Sequence, residues 1–121
     1  MGKKIVILNG SPRKKGNTSA LVKSFTEGAE SAGNTVTEFF LSGMEIHGCR
    51  GCFGGHGRSS ALLMAAEGNR FDDVLLYYDH LMEHLRWKNL GHVLAGGNAD
   101  VGDIEGKPEL KEAYELGKSI R

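Results

Sequence analysis

Two hydrophobic periods alternate along the 121-residue chain, and together they predict strands separated by helices. Residues 3–9 read K-K-I-V-I-L-N, and their four consecutive apolar side chains predict a strand buried on both faces of a sheet. A helix beginning at Asn17 or Thr18 has apolar side chains at helical spacing and stops at Gly33-Asn34. The whole pattern predicts strands at 3–9, 35–41, 60–66 and 90–95 and helices at 17–32, 71–86 and 108–120.

The predicted order is β-α-β-loop-β-α-β-α, which indicates an α/β fold. Alternating strands and helices imply right-handed crossovers and a parallel sheet with helices on its faces. Glu38 within the second strand indicates an edge position, where one face meets water. Ligands of such sheets bind beyond the carboxyl ends of the strands, where Gly10, Gly68 and Gly96 are expected to lie.

The segment 42–59 has no clear period and interrupts this alternation. It contains six glycines and both cysteines of the chain. Cys49 and Cys52 have the spacing of a redox or metal pair, but an iron–sulfur cluster needs four ligands. We therefore interpret them as a reduced pair, with a working dithiol as the alternative.

Composition narrows the possible classes of protein. The chain carries 15 basic and 15 acidic residues, so it lacks the long-range positive field of nucleic-acid binders. No apolar run approaches a membrane span, and the first residues lack the features of a signal peptide. We expect a single cytoplasmic domain over 1–121, with no nucleic-acid or membrane partner.

The segment from Asn9 reads N-G-S-P-R-K-K-G-N-T-S and connects a predicted strand to a helix N-terminus. Unpaired N–H groups and the helix dipole favour an anion there, and hydroxyls, an amide and Arg13 add further donors. Five residues separate Gly10 from Gly16 and no Lys-Ser/Thr follows, so the segment is not a Walker A loop. The alternative is a simple turn with an N-cap. Lys14 and Lys15 are interpreted as solvated.

These residues resemble the FMN phosphate loop of flavodoxin-like NAD(P)H-dependent FMN reductases and related iron–sulfur flavoproteins. The resemblance continues through E-G-A-E-S-A-G-N-T-V, G-C-R-G-C-F, F-D-D-V-L, L-R-W-K-N-L-G-H-V-L-A-G-G and D-V-G-D-I-E-G-K-P-E-L. It implies a flavodoxin-like doubly wound parallel sheet, FMN as cofactor and NAD(P)H as electron donor. By resemblance, the phosphate is held by Ser11, Arg13, Gly16, Asn17, Thr18 and Ser19, and the flavin ring is approached by Ala66, Glu67, Gly68 and Asn69.

One strand-loop-helix unit of that family has no counterpart here, and the shortening lies between about residues 53 and 59. We expect strand 60–66 to take the vacant place beside the first strand, giving four strands in the order 2-1-3-4. One sheet face then lacks a helix and exposes apolar surface, so we predict a homodimer or a domain-swapped oligomer. Leu76 and Tyr77 lie off the main stripe of their helix and are candidates for that interface.

Two further motifs resemble metal sites but are not interpreted as such. His80-Leu-Met-Glu-His84 matches an inverted zinc-protease motif, but both histidines fall away from the apolar stripe and are read as solvated. Asn98, Asp100 and Asp103 do not have calcium-loop spacing and are read as a turn.

Three hypotheses for function remain open at this point. The first is an FMN-binding oxidoreductase that exchanges electrons with small molecules and needs no catalytic acid or base, because the flavin carries the hydride chemistry. The second is a non-catalytic truncated relative that has lost flavin. The third is a binding module for another phosphorylated ligand.

Overall fold

Strands and helices alternate along the chain, as the sequence predicts. A computed structural model describes residues 2–13, 15–45 and 58–120. A short 3-10 turn, Leu41–Gly43, follows the second strand. In this part of the chain the strands are β1 (Lys4–Asn9), β2 (Thr35–Phe40), β3 (Ser59–Ala65) and β4 (Lys88–Ala95), and the helices are α1 (Asn17–Ser31), α2 (Asp72–Leu85) and α3 (Pro108–Lys118).

The strands form two parallel pairs. β1 pairs with β2, with Ile7 opposite Glu38 and Leu8 opposite Phe39, and β3 pairs with β4. The predicted order 2-1-3-4 is therefore confirmed for the pairs β2–β1 and β3–β4. Within the described ranges no ladder joins β1 to β3, so that pairing is not confirmed. Helix α1 packs against β1, β2 and β3 and so connects the two pairs.

β1 is buried on one face only, which corrects the prediction that both of its faces are covered. Ile5 and Ile7 pack against the core, whereas Val6 and Leu8 are 61% and 66% exposed. Phe39, the register partner of Leu8, is also exposed. The reason is that α1 covers one side of β1–β2, and among the described elements no other helix packs substantially against this pair.

The main core lies between α1, α3 and the strands. Its buried residues come from both helices, from β4, and from the segments directly before and after α3: Leu21, Phe25, Ala29, Val93, Ala95, Ile104, Ala113 and Ile120. Gly28 and Gly117 allow close approach of the two helices. A Cβ on Gly28 would overlap the Tyr114 carbonyl oxygen, and one on Gly117 would overlap that of Phe25. The α1–α3 contact therefore depends on the absence of two side chains.

Helix α2 is buried against β3–β4 apart from that core. Tyr78 and Met82 are its buried residues, and the Tyr78 hydroxyl donates a hydrogen bond of 2.9 Å to Ser60 Oγ on β3. Burial raises the pKa of Tyr78, the Ser60 hydrogen bond lowers it, and the Asp79 carboxylate raises it. Leu76 and Tyr77 are exposed, as their positions off the stripe predict.

Lys14, Cys49 and Cys52 lie outside the described residues, as do residues 46–57 as a whole. The predictions made for them therefore stay predictions. Within the described ranges no helix combines the length and the apolar character that crossing a membrane requires.

Candidate functional site

The phosphate loop, residues 10–19, begins directly after β1 at a buried asparagine. Asn9 is 2% exposed, and its Oδ1 accepts a hydrogen bond of 3.0 Å from the Ser11 N–H. Its Nδ2 donates to Glu38 Oε2 at 2.9 Å and to Ser19 Oγ at 3.3 Å. This single amide connects the end of β1, the start of α1 and the neighbouring strand β2.

The two serine hydroxyls of the loop converge on one carbonyl. Ser11 Oγ donates to the Arg13 oxygen at 3.2 Å and accepts from the Arg13 N–H at the same distance. Ser19 Oγ also donates to the Arg13 oxygen, at 3.3 Å. Both hydroxyls thus shape the loop in this conformation. The Thr18 hydroxyl, by contrast, has no hydrogen bond to any described residue, and it lines the cleft beside the loop.

Asn17 ties the first turn of α1 to the segment before α3. Its Nδ2 donates to the Asp100 carbonyl oxygen at 2.9 Å. Its Oδ1 accepts from the N–H groups of Gly102 at 3.1 Å and Ile104 at 3.3 Å. The Asn17 side chain therefore holds two segments together, more than 80 residues apart in sequence, and fixes where α1 begins.

The N-terminus of α1 is open to an anion. Gly16 is its N-cap, no side chain caps it, and no acidic residue lies in its first turn. The first amide bonded within the helix is that of Ala20, to Gly16 O at 3.1 Å. The three amides of residues 17–19 precede it and cannot find partners inside the helix. By contrast, α2 carries Asp72 and Asp73 in its first turn, and α3 carries Glu109.

The predicted ring loop, residues 66–69, follows β3 and packs against the end of β4. The Ala66 carbonyl accepts from Asn98 N at 3.0 Å, and the Glu67 carbonyl accepts from Gly97 N at 2.9 Å. The Asn69 side chain lies so close to Gly96 that a Cβ there would overlap it. Glu67, Gly68 and Asn69 are exposed at this edge, and Ala66 is half-buried.

Buried Asn98 connects the ring loop to the rest of the edge. Its Nδ2 donates to Ala95 O at 2.9 Å, and its Oδ1 accepts from Lys107 Nζ at 3.0 Å. The same lysine ammonium also donates to the carbonyl of Gly97. The loops after β3 and β4 are therefore held as one unit.

A cleft of about 470 Å³ lies between the phosphate loop and the carboxyl end of β3. Ligand pockets in proteins span roughly 300–1,000 Å³. Leu63, Met64 and Ala65 form one wall, and Asn98 also lines the cleft. The other wall consists of loop residues Gly10, Ser11, Pro12, Arg13, Gly16, Asn17 and Thr18. The structure thus brings the strand ends together at one edge, as the glycine positions predict.

The remaining candidate residues are the histidines of α2 and the aspartates of the segment before α3. His80 and His84 are exposed on α2, as predicted. Asp100 and Asp103 form a turn in which Asp103 Oδ2 accepts from the Asp100 N–H at 2.8 Å. Among the residues that the structure describes, no group of three or more histidine, cysteine or acidic side chains could hold a metal ion.

An α/β fold in which the first strand leads into an uncapped helix N-terminus is typical of proteins that bind phosphorylated ligands. The model of the NADPH-dependent FMN reductase family matches residues 3–70, more than half of the chain. The chain therefore belongs to the NADPH-dependent FMN reductase family. The match ends before α2, so the likeness expected for later residues stays a prediction. No curated protein and no solved structure matches the chain.

Sequence reasoning missed two residues that organise the loop, Asn9 and Glu38. The sequence pattern predicts only that Asn9 ends a strand and that Glu38 lies on an edge strand. A signal was present for Asn9, because an asparagine immediately before a glycine-rich turn often bonds the backbone two residues on. Nothing in the sequence pattern indicated that Glu38 would reach it.

Proposed function

We propose that the chain binds FMN with its phosphate in the loop 10–19 and reduces it with NAD(P)H. The observation that carries the proposal is the uncapped, acid-free N-terminus of α1, which opens onto a cleft of suitable size. Anions are stabilised at such a terminus by free N–H groups and by the helix dipole. Membership of the family supports FMN as the molecule whose phosphate binds there.

The residues available to the phosphate differ in role. The backbone amides of residues 17–19, the Thr18 hydroxyl and the exposed Arg13 guanidinium are the groups that would hold it. Ser11, Asn17 and Ser19 keep the loop in shape through their own hydrogen bonds. Gly16 leaves the start of α1 without a side chain. The donor set is cationic and hydroxylic, which fits a phosphate dianion.

The ring end of the cofactor would lie toward the loop 66–69. When bound, FMN supplies hydride and electron transfer between NAD(P)H and a small-molecule acceptor. The chain contributes binding, orientation and shielding from water at the cleft. We assign no side chain as a catalytic acid or base.

A non-catalytic binding protein is the second candidate, and it is favoured by the lack of a ladder between β1 and β3 within the described residues. The cleft beside the phosphate loop is lined on its other side by Leu63, Met64 and Ala65 of β3. A protein of this kind would retain FMN or another phosphorylated ligand without reducing it.

The test is an FMN titration followed by anaerobic addition of NADPH. We expect FMN fluorescence to be quenched on binding and the absorption of bound oxidised flavin to bleach with NADPH. Arg13→Ala should weaken FMN binding roughly tenfold, because a charge-assisted hydrogen bond contributes about 1.5 kcal/mol. Arg58→Ala removes the same charge at the start of β3, at the opposite sheet edge, and should leave binding unchanged. Binding without bleaching would favour the non-catalytic protein, and absence of binding would overturn both flavin functions.

A further inference from the structure

Glu38 is a half-buried carboxylate on β2 whose side chain reaches the end of β1. In the parallel register Ile7 lies opposite Glu38, and Asn9 lies two residues further on the same face. Glu38 Oε2 accepts from Asn9 Nδ2 at 2.9 Å, the shortest of the three hydrogen bonds of that amide. The sequence marked Glu38 only as an edge residue, and the proposed flavin contacts do not include it.

The carboxylate determines which way the Asn9 amide points. A carboxylate only accepts hydrogen bonds, and the Ser11 backbone N–H only donates. Asn9 can satisfy both only with its nitrogen toward Glu38 and its oxygen toward Ser11. Glu38 therefore selects one of the two orientations of a 2%-exposed amide.

That orientation is transmitted into the loop. Because Ser19 Oγ accepts from Asn9 Nδ2, its own proton is directed to the Arg13 carbonyl. Ser11, whose N–H is held by Asn9, directs its hydroxyl to the same carbonyl. The position of the Arg13 carbonyl, and with it the path of the loop in front of α1, is fixed from β2.

We propose that Glu38 is a positioning residue for the phosphate loop. By orienting Asn9 it keeps the loop in the shape that leaves the α1 amides open, and it thereby sets the preference for a phosphorylated ligand. This role in recognition rests on the proposed function. The effect on loop order does not, because it concerns the ligand-free protein.

Charge alone predicts the opposite result. A carboxylate near the loop repels a phosphate dianion, so its removal would tighten FMN binding if electrostatics were its only role. Glu38→Gln removes the charge while keeping the size, and because its amide can donate as well as accept, it no longer selects one orientation of the Asn9 amide. The sign of the change in affinity therefore separates positioning from repulsion.

The experiment compares Glu38→Gln with Glu30→Gln, an exposed glutamate on α1 with no hydrogen bond to a described side chain. In the ligand-free proteins, tryptic cleavage after Arg13 and Lys15 and exchange of the Ser11 amide report the order of the loop. We expect both to accelerate roughly tenfold in Glu38→Gln and to stay at the wild-type rate in Glu30→Gln. FMN affinity should fall by a similar factor in Glu38→Gln, whereas riboflavin affinity should change less than twofold.

Tighter FMN binding, or an unchanged cleavage rate, would overturn the proposal. Equal losses for FMN and riboflavin together with a lower melting temperature would also overturn it, because they would indicate a general structural role. Asn9→Ala should reproduce the effect and add little when combined with Glu38→Gln, since both act on one network. If the wild type binds no FMN, the proposed function fails while the ligand-free cleavage rates still decide the role of Glu38.

Discussion

The two strand pairs differ in how much helix surrounds them. β3–β4 packs against α1, α2 and α3, whereas β1–β2 packs mainly against α1. Val93 and Ala95 of β4 are buried, whereas Val6 and Leu8 of β1 are exposed. The difference teaches that an apolar run does not by itself show that both faces of a strand are covered, because among the described elements only α1 packs substantially against β1–β2.

The two ends of the proposed cofactor site belong to different strand pairs. The phosphate loop belongs to β1–β2 and α1, and the ring loop belongs to β3–β4. The cleft between them is the place where a ligand would contact both pairs. A ligand that binds only the folded chain would therefore stabilise the arrangement of the two pairs by mass action.

The largest expected effect comes from the helix contact that joins the two pairs. Gly117→Ala places a methyl group against the Phe25 carbonyl and forces α1 and α3 apart. We expect the free energy of unfolding to fall by about 3 kcal/mol, at the upper end for overpacking. Gly43→Ala is the matched control, because its Cβ would enter open space, and urea melts should place it within about 0.5 kcal/mol of the wild type. Equal stability of the two variants would contradict close α1–α3 packing.

The next effect concerns the uncovered face of β1–β2. We predict that a second copy covers it, so that the wild type sediments as a dimer. Leu8→Asp should weaken the dimer roughly 30-fold, because about 2 kcal/mol of apolar burial is lost. Met44→Asp introduces the same charge at an exposed site beyond β2 and serves as the control. A wild type that sediments as a monomer over a wide concentration range would sink this prediction.

The smallest effect concerns α2, which packs against the pair β3–β4. Tyr78→Phe should cost about 1 kcal/mol at neutral pH, because the hydrogen bond to Ser60 is lost. Burial holds the folded-state pKa of Tyr78 above its ordinary 10.0, so its contribution to stability is present below pH 10 and is lost as pH rises through the folded-state pKa. Tyr78→Phe should remove this alkaline loss in melts against pH, and the exposed neighbour variant Tyr77→Phe should retain it. A wild-type stability that is flat across the alkaline range would argue against the buried phenol.

Sequence alone predicted the elements and the edge at which the loops meet. Local signals were sufficient there: β-branched runs, the Gly33 stop and Pro108 at the start of α3 act within a few residues. For β1 the sequence supports two conflicting predictions: its apolar run predicts burial on both faces, whereas the missing strand-loop-helix unit predicts one uncovered face, and the exposure of Val6 and Leu8 agrees with the second. The contact between β1 and β3 stays a prediction, because a parallel ladder depends on long-range packing that a single sequence does not encode locally.

The sequence predicted which residues form the candidate site but not how their side chains are hydrogen-bonded. The sequence groups Ser11, Asn17 and Ser19 with Arg13 and Thr18 as phosphate donors. In this structure the Ser11 and Ser19 hydroxyls donate to the Arg13 carbonyl within the loop, and the Asn17 side chain bonds the segment before α3. The phosphate-binding role of the whole set stays a prediction. Partners 83 to 87 residues away, as for Asn17, carry no signal in a single sequence.

The most direct test of the phosphate loop is the ratio of the dissociation constants for riboflavin and FMN, which differ only by the phosphate. Two charge-assisted hydrogen bonds of about 1.5 kcal/mol each predict a ratio of roughly 100 in favour of FMN, and Arg13→Ala should reduce it about tenfold. Equal affinity of the wild type for riboflavin and FMN would contradict the account.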